Sequence, residues 1–102
     1  MSRTLGILLT TSPEHEDAST AVRLAEAALA QGIEVKIFVM CDGVYQLSNP
    51  LFLSLKAQGA ELCMFAQNAV ERSVAKRPEV VSGSQYDLAH YVNEADRFIS
   101  LT

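Results

Sequence analysis

Residues 4–40, TLGILLTTSPEHEDASTAVRLAEAALAQGIEVKIFVM, contain two apolar runs separated by an amphipathic stretch. The first run, from Thr4 to Thr10, is apolar at most positions, which is typical of a strand buried on both faces of a sheet. From about Glu14 to Gln31 small apolar residues recur at helical spacing, and Gly32 ends this helix. The second run, Ile33 to Met40, resembles the first. A strand, a helix and another buried strand in succession predict a βαβ unit with parallel strands.

The rest of the chain continues this alternation. Asn49 and Pro50 are a typical helix start, and Gly59 ends the short helix that follows. Ala60 to Cys63 is predicted as a third strand, and a helix from about Met64 to Val74 comes next. The last elements are a short strand over Glu79–Val81, a helix capped by Ser84 and Asp87 with Leu88, Tyr91, Val92 and Ala95 facing inward, and a strand over Arg97–Leu101. The sequence therefore predicts an α/β fold, a three-layer α/β/α arrangement with a mainly parallel five-stranded sheet and four helices.

Size and composition limit the functions that this fold can have. The 102 residues, 49% of them hydrophobic, suffice for one core, so residues 1–102 are predicted to form a single domain. The net charge of −4 argues against nucleic acid and anionic membranes as partners. No apolar run approaches the roughly twenty residues of a membrane-spanning helix, and the first residues lack a secretory signal. We therefore expect a cytoplasmic protein.

Reactive groups in parallel sheets gather where the strands end, and Cys63 is predicted there as the last residue of its strand, just before a helix. Backbone N–H groups and the positive end of a helix dipole stabilise thiolate, the nucleophilic form of cysteine. Cys63 is therefore a candidate nucleophile. The alternative is that it is a small buried apolar side chain, as free cysteines often are.

Other polar groups are predicted at the same edge. Cys41, Asp42 and Gly43 form a turn that closes the second strand, and Cys41 is either a packed side chain or a second, accepting thiol. His15 follows the first strand. It is either a base or a hydrogen-bond donor to an anion, or it is simply an exposed loop histidine. His90 is predicted to be solvated. The two cysteines show neither CxxC nor zinc-ligand spacing, so no metal is expected, and the chemistry of a nucleophilic thiol needs no cofactor.

An ordered set of segments resembles the DsrE/DsrF-like family along nearly the whole chain. These segments are the Ala-rich first helix (Ser19–Gly32), Phe38–Tyr45 ending in Asp42-Gly43-Val44-Tyr45, Gly59–Cys63, the helix Met64–Val74, and Asn93–Arg97. The resemblance implies a three-layer fold and a sulfur-relay function. It also implies that Cys63 accepts sulfane sulfur from a donor protein as a persulfide and passes it to an acceptor protein. Members of the family commonly form trimers or hexamers, so the resemblance implies such an assembly for this chain as well.

Two other classes of function remain open at this point. One is an assembly subunit without chemistry of its own, in which Cys63 is only packed. The other is a small-molecule binder that uses the edge formed by Thr10–Ser12 and Ser82–Ser84. The sequence also predicts a homo-oligomer, because the helix from Pro50 to Gln58 carries apolar residues on several sides and a second subunit would cover some of them. These residues are Leu51, Phe52, Leu53 and Leu55.

Overall fold

The computed structural model describes residues 3–102 and confirms the predicted α/β/α fold with five strands. All four strand pairings in the sheet are parallel. The elements in chain order are β1 (Thr4–Leu9), α1 (Glu16–Ala30), β2 (Glu34–Val39), a 3₁₀ helix (Cys41–Ser48), α2 (Pro50–Ala57), β3 (Glu61–Phe65), α3 (Ala66–Glu71), β4 (Val80–Gly83), α4 (Gln85–Glu94) and β5 (Arg97–Leu101).

The order of the strands across the sheet is β4-β3-β2-β1-β5. The chain moves in one direction from β1 through β2 and β3 to β4, so right-handed crossovers put α1, α2 and α3 on the same face of the sheet. We call this the first face. The last crossover returns from β4 to β5 at the opposite edge, and the same handedness puts α4 on the other side, which we call the second face. One helix therefore has to cross the whole sheet.

The main core lies on the first face. Ile7, Ile37 and Leu62 are fully buried on three neighbouring strands. α1 contributes the small residues Ala21 and Ala25, which let the helix approach the sheet closely, and the core continues through α2 and the 3₁₀ helix. The two larger side chains that α2 places in this core are Phe52 and Leu55. Burial of these apolar groups is the main contribution to the stability of the chain.

The second face is covered more thinly. α4 has ten residues and none of them is buried, whereas five residues of α1 are. A helix of that length spans about 15 Å, and five strands at about 4.8 Å spacing are wider than that. Leu88 and Tyr91 are half-buried against the sheet as predicted, but Val92 is exposed, so its predicted place on the inner face is wrong.

The structure also corrects the prediction for α2 as an interface. Phe52 and Leu55 are fully buried and Leu53 packs against the core, so one chain covers these side chains by itself. Only Leu51 of the four residues is exposed, at 67%. The 3₁₀ helix supplies this cover, because Val44 and Leu47 pack into the same core. Within residues 3–102, no helix combines the length and apolar character needed to cross a bilayer.

Candidate functional site

The two cysteines lie in different surroundings. Cys63 is buried, and Cys41 is exposed. Cys63 lies inside β3, where it pairs with Phe38 of β2 and Val81 of β4. The prediction that it is the last residue of its strand is wrong, since β3 continues to Phe65 and α3 begins at Ala66. Because parallel neighbours in register point to the same side, Cys63 shares the second face with Phe38.

The helix predicted after Cys63 begins later and is shorter than expected. α3 covers Ala66–Glu71 instead of Met64–Val74. β3 extends further than predicted because Met64 and Phe65 still pair with Ser82 and Gly83 of β4. Two residues of strand therefore separate Cys63 from the helix, and the effect of a helix dipole falls off within the first turn. The proximity argument that made Cys63 a candidate from sequence does not hold in the fold.

The side chains around Cys63 come from β4 and α4. Gly83 is so close that a β-carbon at this position would lie 2.5 Å from Cys63 Sγ and 3.0 Å from Asp87 Oδ2. The sulfur and one carboxylate oxygen of Asp87 therefore flank the same point beside Gly83. Tyr91, one helical turn after Asp87, packs edge-on against Phe38 with 6.0 Å between ring centroids. α4 thus covers the thiol with a carboxylate and a phenol.

This environment keeps the thiol protonated. The pKa of Cys63 is raised to about 11, mainly by burial; a hydrogen bond with the Tyr91 hydroxyl lowers it, and the negative charges of Asp87 and Glu61 add to the rise. Burial is also the main reason why the pKa of Tyr91 is raised, with Glu61 and Cys63 adding to it. The expected stabilisation of thiolate is therefore wrong for the isolated chain. At neutral pH the thiol is almost entirely protonated.

Capping of α4 positions Asp87. The predicted capping box is present, since the Ser84 backbone N–H donates to Asp87 Oδ2 at 2.7 Å and Tyr86 N–H donates to Ser84 Oγ at 3.2 Å. The carboxylate is therefore held in a fixed position while its oxygen faces the space beside Cys63. Sequence reasoning identified Asp87 only as a cap and Tyr91 only as an inner residue. The capping pattern and the helical spacing could not connect Asp87 and Tyr91 with Cys63, because that connection depends on where α4 lies across the sheet.

Cys41 begins the 3₁₀ helix, and the predicted turn over Cys41-Asp42-Gly43 is instead the first part of that helix. Its φ of 53° is in the left-handed region, and Asn68 Oδ1 holds this backbone by accepting the Cys41 N–H at 2.8 Å. At Gly43, a β-carbon would collide with the backbone carbonyl of Leu9, so glycine lets the helix lie against the end of β1.

An ion pair lies beside Cys41. Arg72 Nε donates to Asp42 Oδ1 at 3.0 Å. The hydrogen bond with Asp42 is the main reason why the pKa of Arg72 is raised, and charges on Cys41 and Tyr45 contribute less. Cys41 is therefore an exposed thiol within electrostatic range of a guanidinium. It does not belong to the group of side chains around Cys63.

Neither histidine joins these groups. His15 is the N-cap of α1, where its Nδ1 accepts the Asp17 N–H at 3.1 Å, and its side chain is half exposed. His90 is exposed on α4 as predicted, with its Nδ1 3.3 Å from Glu94 Oε1. Among residues 3–102, no three His, Cys, Asp or Glu side chains cluster as metal ligands.

The chain matches the model of the DsrE/DsrF-like family over residues 4–101. A protein of Methanopyrus kandleri that is described as uncharacterized is 34% identical over 100 residues, which cover 82% of this chain and 81% of that protein.

Two solved structures have the same fold. The YchN protein of E. coli superposes with a TM-score of 0.82 at 18% identity, over 99% of this chain and 100% of that one. A conserved protein of unknown function from Bacteroides thetaiotaomicron gives a TM-score of 0.75 at 14% identity, over 96% of this chain and 94% of that one. At sequence identities this low, the likeness shows a common fold and nothing more.

Proposed function

The chain belongs to the DsrE/DsrF-like family, and on that premise we propose that it carries sulfane sulfur as a persulfide on Cys63. Membership points to a general role in sulfur relay together with partner proteins. The finer statement, that Cys63 is the carrier, rests on its position beside Gly83. We propose the cytoplasm as the compartment, because a reducing environment keeps such a thiol available.

The groups that meet at Cys63 carry this proposal. A β-carbon on Gly83 would lie 2.5 Å from Cys63 Sγ, so only glycine lets the backbone of β4 pack directly against the thiol. A sulfur–sulfur bond is about 2.05 Å long, and an outer sulfur atom fits beside the thiol once α4 moves away from it. Asp87 Oδ2, which is 3.0 Å from the same β-carbon position, can accept a hydrogen bond from the terminal S–H. Burial at 2% exposure would protect the persulfide from other thiols until a partner arrives.

The transfer consists of two balanced displacements. The Cys63 thiolate attacks the outer sulfur of a donor persulfide, the donor sulfur–sulfur bond breaks, and its electron pair leaves with the donor thiolate. Cys63 then carries the outer sulfur with its proton. In the second step an acceptor thiolate attacks that outer sulfur and Cys63 leaves as thiolate. No electron is gained or lost overall, so the sequence of steps needs no oxidant.

Activation of Cys63 requires exposure of the site. A pKa of about 11 in the closed chain makes the thiol a poor nucleophile, and its burial blocks access for a donor protein. α4 forms the cover and has no buried residue, so its displacement costs less than displacement of α1, which has five. We propose that a docked partner moves α4, which restores solvent to the thiol and lowers its pKa.

Intact mass spectrometry tests the carrier function directly. After incubation with sodium polysulfide and removal of excess reagent, the wild-type chain should gain about 32 Da per sulfur, and reductant should remove the gain. Cys63→Ser should lose this gain and Cys41→Ser should keep it. Gly83→Ala should reduce loading at Cys63 at least about tenfold while the protein stays folded, because the methyl group would press against both the Cys63 sulfur and the Asp87 carboxylate.

The opposite results have clear meanings. If Cys63→Ser loads normally and Cys41→Ser does not, the exposed Cys41 beside Arg72 is the carrier and the proposal is wrong. If the wild-type chain gains no reducible mass under conditions in which iodoacetamide alkylates Cys63, the thiol is accessible but does not carry sulfur, and the chain is an assembly subunit without chemistry of its own. Unfolding curves of all three variants keep loss of loading distinct from loss of fold.

We also propose that the protein is a homo-oligomer, a trimer or hexamer, which uses the second face. This side exposes apolar surface at Val81 (56%), Tyr86 (73%) and Val92 (45%). Light scattering after size exclusion should give a mass several times the 11.1 kDa of the chain. The double variant Val81→Glu/Val92→Glu should fall to a monomer, whereas Leu51→Glu on the first face should not. A wild-type mass near that of one chain would exclude this assembly.

A further inference from the structure

Two carboxylates lie on the same face of the sheet as the Cys63 thiol. Asp87 Oδ2 is 3.0 Å from the β-carbon position of Gly83, and Cys63 Sγ is 2.5 Å from that same position. Glu61 is two residues before Cys63 on β3, so its side chain is on the second face as well. Asp87 is half-buried and Glu61 is exposed, so water screens the charge of Asp87 less. A sulfur donor that approaches the thiol therefore meets negative charge.

The basic residues of this region do not neutralise that charge. β2, β3, β4 and α4 together contain two of them, Lys36 and His90. Both lie against Glu94, with Lys36 Nζ 3.5 Å from Oε2 and His90 Nδ1 3.3 Å from Oε1. No ion pair within 4 Å joins either of them to Asp87 or Glu61. The surroundings of Cys63 are therefore negative on balance.

The beginning of α4 does not offer an anion site either. Helix N-termini attract anions through free N–H groups and the positive end of the dipole. Here the Ser84 N–H donates to Asp87 Oδ2 at 2.7 Å and the Tyr86 N–H donates to Ser84 Oγ at 3.2 Å, so the chain's own carboxylate takes the place of an external anion. Because Ser84 directly follows β4, the same hydrogen bond keeps Asp87 close to Cys63 when later turns of α4 move.

From these contacts we infer that Cys63 takes its sulfur from an uncharged donor, a persulfide in its protonated form with no carboxylate beside it, and that Asp87 sets this selectivity. The inference rests on the proposed carrier function and adds the class of donor. The outer sulfur keeps its proton while its bond to Cys63 forms and the donor bond breaks, so it brings no charge to Asp87. Thiosulfate and other anionic donors bring a negative charge to the same place and react more slowly. The selectivity acts on the rate, so an excess of polysulfide still loads the thiol at the end point.

Two alkylating reagents test the selectivity without any sulfur chemistry. Iodoacetate is anionic and iodoacetamide is neutral, while both are small and both react with the thiolate. The ratio of their rates at Cys63 therefore cancels the pKa of the thiol and the movement of α4. Asp87→Asn should raise the ratio of iodoacetate to iodoacetamide labelling at least about threefold at pH 9 and low salt. Glu61→Gln should raise it less, and Cys41, mapped in the same sample, should keep its ratio in both variants.

Three controls separate a local charge effect from other causes. Glu16→Gln removes the same charge from an exposed position of α1 on the first face and should leave the ratio within about 1.5-fold of wild type. Asp87→Glu restores the carboxylate and should restore the wild-type ratio. Salt at about 0.5 M should narrow the difference between wild type and Asp87→Asn, because the Debye length is then roughly 4 Å. Thermal unfolding verifies that each variant is folded.

A matched pair of sulfur donors extends the test to the proposed chemistry. The persulfide of N-acetylcysteine carries a carboxylate, and the persulfide of N-acetylcysteine methyl amide does not. Intact mass spectrometry should show that the amide loads wild-type Cys63 at least about threefold faster than the acid. Asp87→Asn should narrow this difference.

The results that would overturn the inference are distinct from failure of the carrier function. An unchanged iodoacetate ratio in Asp87→Asn would overturn the selectivity whether or not the chain loads sulfur. Equal loading of the wild-type chain by the two persulfides would show that Cys63 does not distinguish donors by charge. A raised ratio in Asp87→Asn together with no loading by either persulfide would overturn the carrier function, and the class of donor with it.

Discussion

The two faces of the sheet differ in how much material covers them. Three α-helices and a 3₁₀ helix lie over the first face, and its apolar side chains are packed to near-zero exposure. A single helix without a buried residue lies over the second face, and Cys63 is beneath it. The stable part of the molecule and its candidate reactive group are therefore separated by the thickness of the sheet.

The cause of this asymmetry is topological. Three crossovers advance in one direction and put their helices together, while only the return from β4 to β5 supplies the other side. The first face can therefore hold the fold while α4 moves, because few core contacts depend on α4. A thiol that must be protected in one state and reached in another is well placed under such a helix.

The largest expected effect is a difference in stability between core truncations on the two faces. Phe52→Ala removes a fully buried ring from the first face and should lower the free energy of unfolding by about 3–5 kcal/mol. Leu88→Ala on α4 removes a half-buried side chain and should cost less than about 2 kcal/mol. Urea unfolding measures both, with the exposed Leu51→Ala as a control within about 0.5 kcal/mol of wild type. Equal costs at Phe52 and Leu88 would contradict the asymmetry.

An effect of intermediate size comes from the buried thiol. The pKa of Cys63 is raised to about 11 in the folded chain, whereas an unfolded cysteine titrates near 8.5. Between these values the unfolded state has lost a proton that the folded state keeps, so stability is full below pH 8.5 and falls as pH rises toward 11. The full loss, reached near pH 11, should be roughly 3 kcal/mol.

Unfolding by urea at pH 8, 9 and 10 measures this loss, and Cys63→Ala provides the comparison. The raised pKa of Tyr91 adds a similar decrease in stability at higher pH. The interval from pH 8.5 to pH 10 therefore best isolates the contribution of the thiol. The alanine variant should show a smaller slope in that interval. Identical slopes in both proteins would mean that the thiol is not held protonated beneath α4.

The smallest expected effect concerns the Tyr91 hydroxyl. Its hydrogen bond with Cys63 lowers the pKa of the thiol against the stronger effect of burial. Tyr91→Phe should therefore raise that pKa further and slow alkylation of Cys63 by iodoacetamide at pH 9 by about three- to tenfold. Peptide mapping follows Cys63 and Cys41 in the same sample, and Cys41 labelling should not change. Faster labelling of Cys63 would indicate that the ring blocks access more than its hydroxyl stabilises thiolate.

The elements of the fold were largely predictable from local patterns. The β1–α1–β2 unit, the Asn49 and Ser84 caps and the bounds of β5 follow from residues that are neighbours in sequence. The errors fall where partners from elsewhere intervene. β3 runs on to Phe65 because β4 pairs with it, and Cys41–Gly43 is helical because Asn68 and the end of β1 hold it.

The sequence by itself determined the class of fold, the position of Cys41 just after a strand and the resemblance to one family, because hydrophobic periodicity and capping are local properties. Only the tertiary structure decided that Cys63 is buried, that its pKa is raised, and that Gly83, Asp87 and Tyr91 surround it. The physical reason is that desolvation depends on what covers a group. Here the cover is a helix more than twenty residues away in the chain, and its place is set by the return crossover of the sheet.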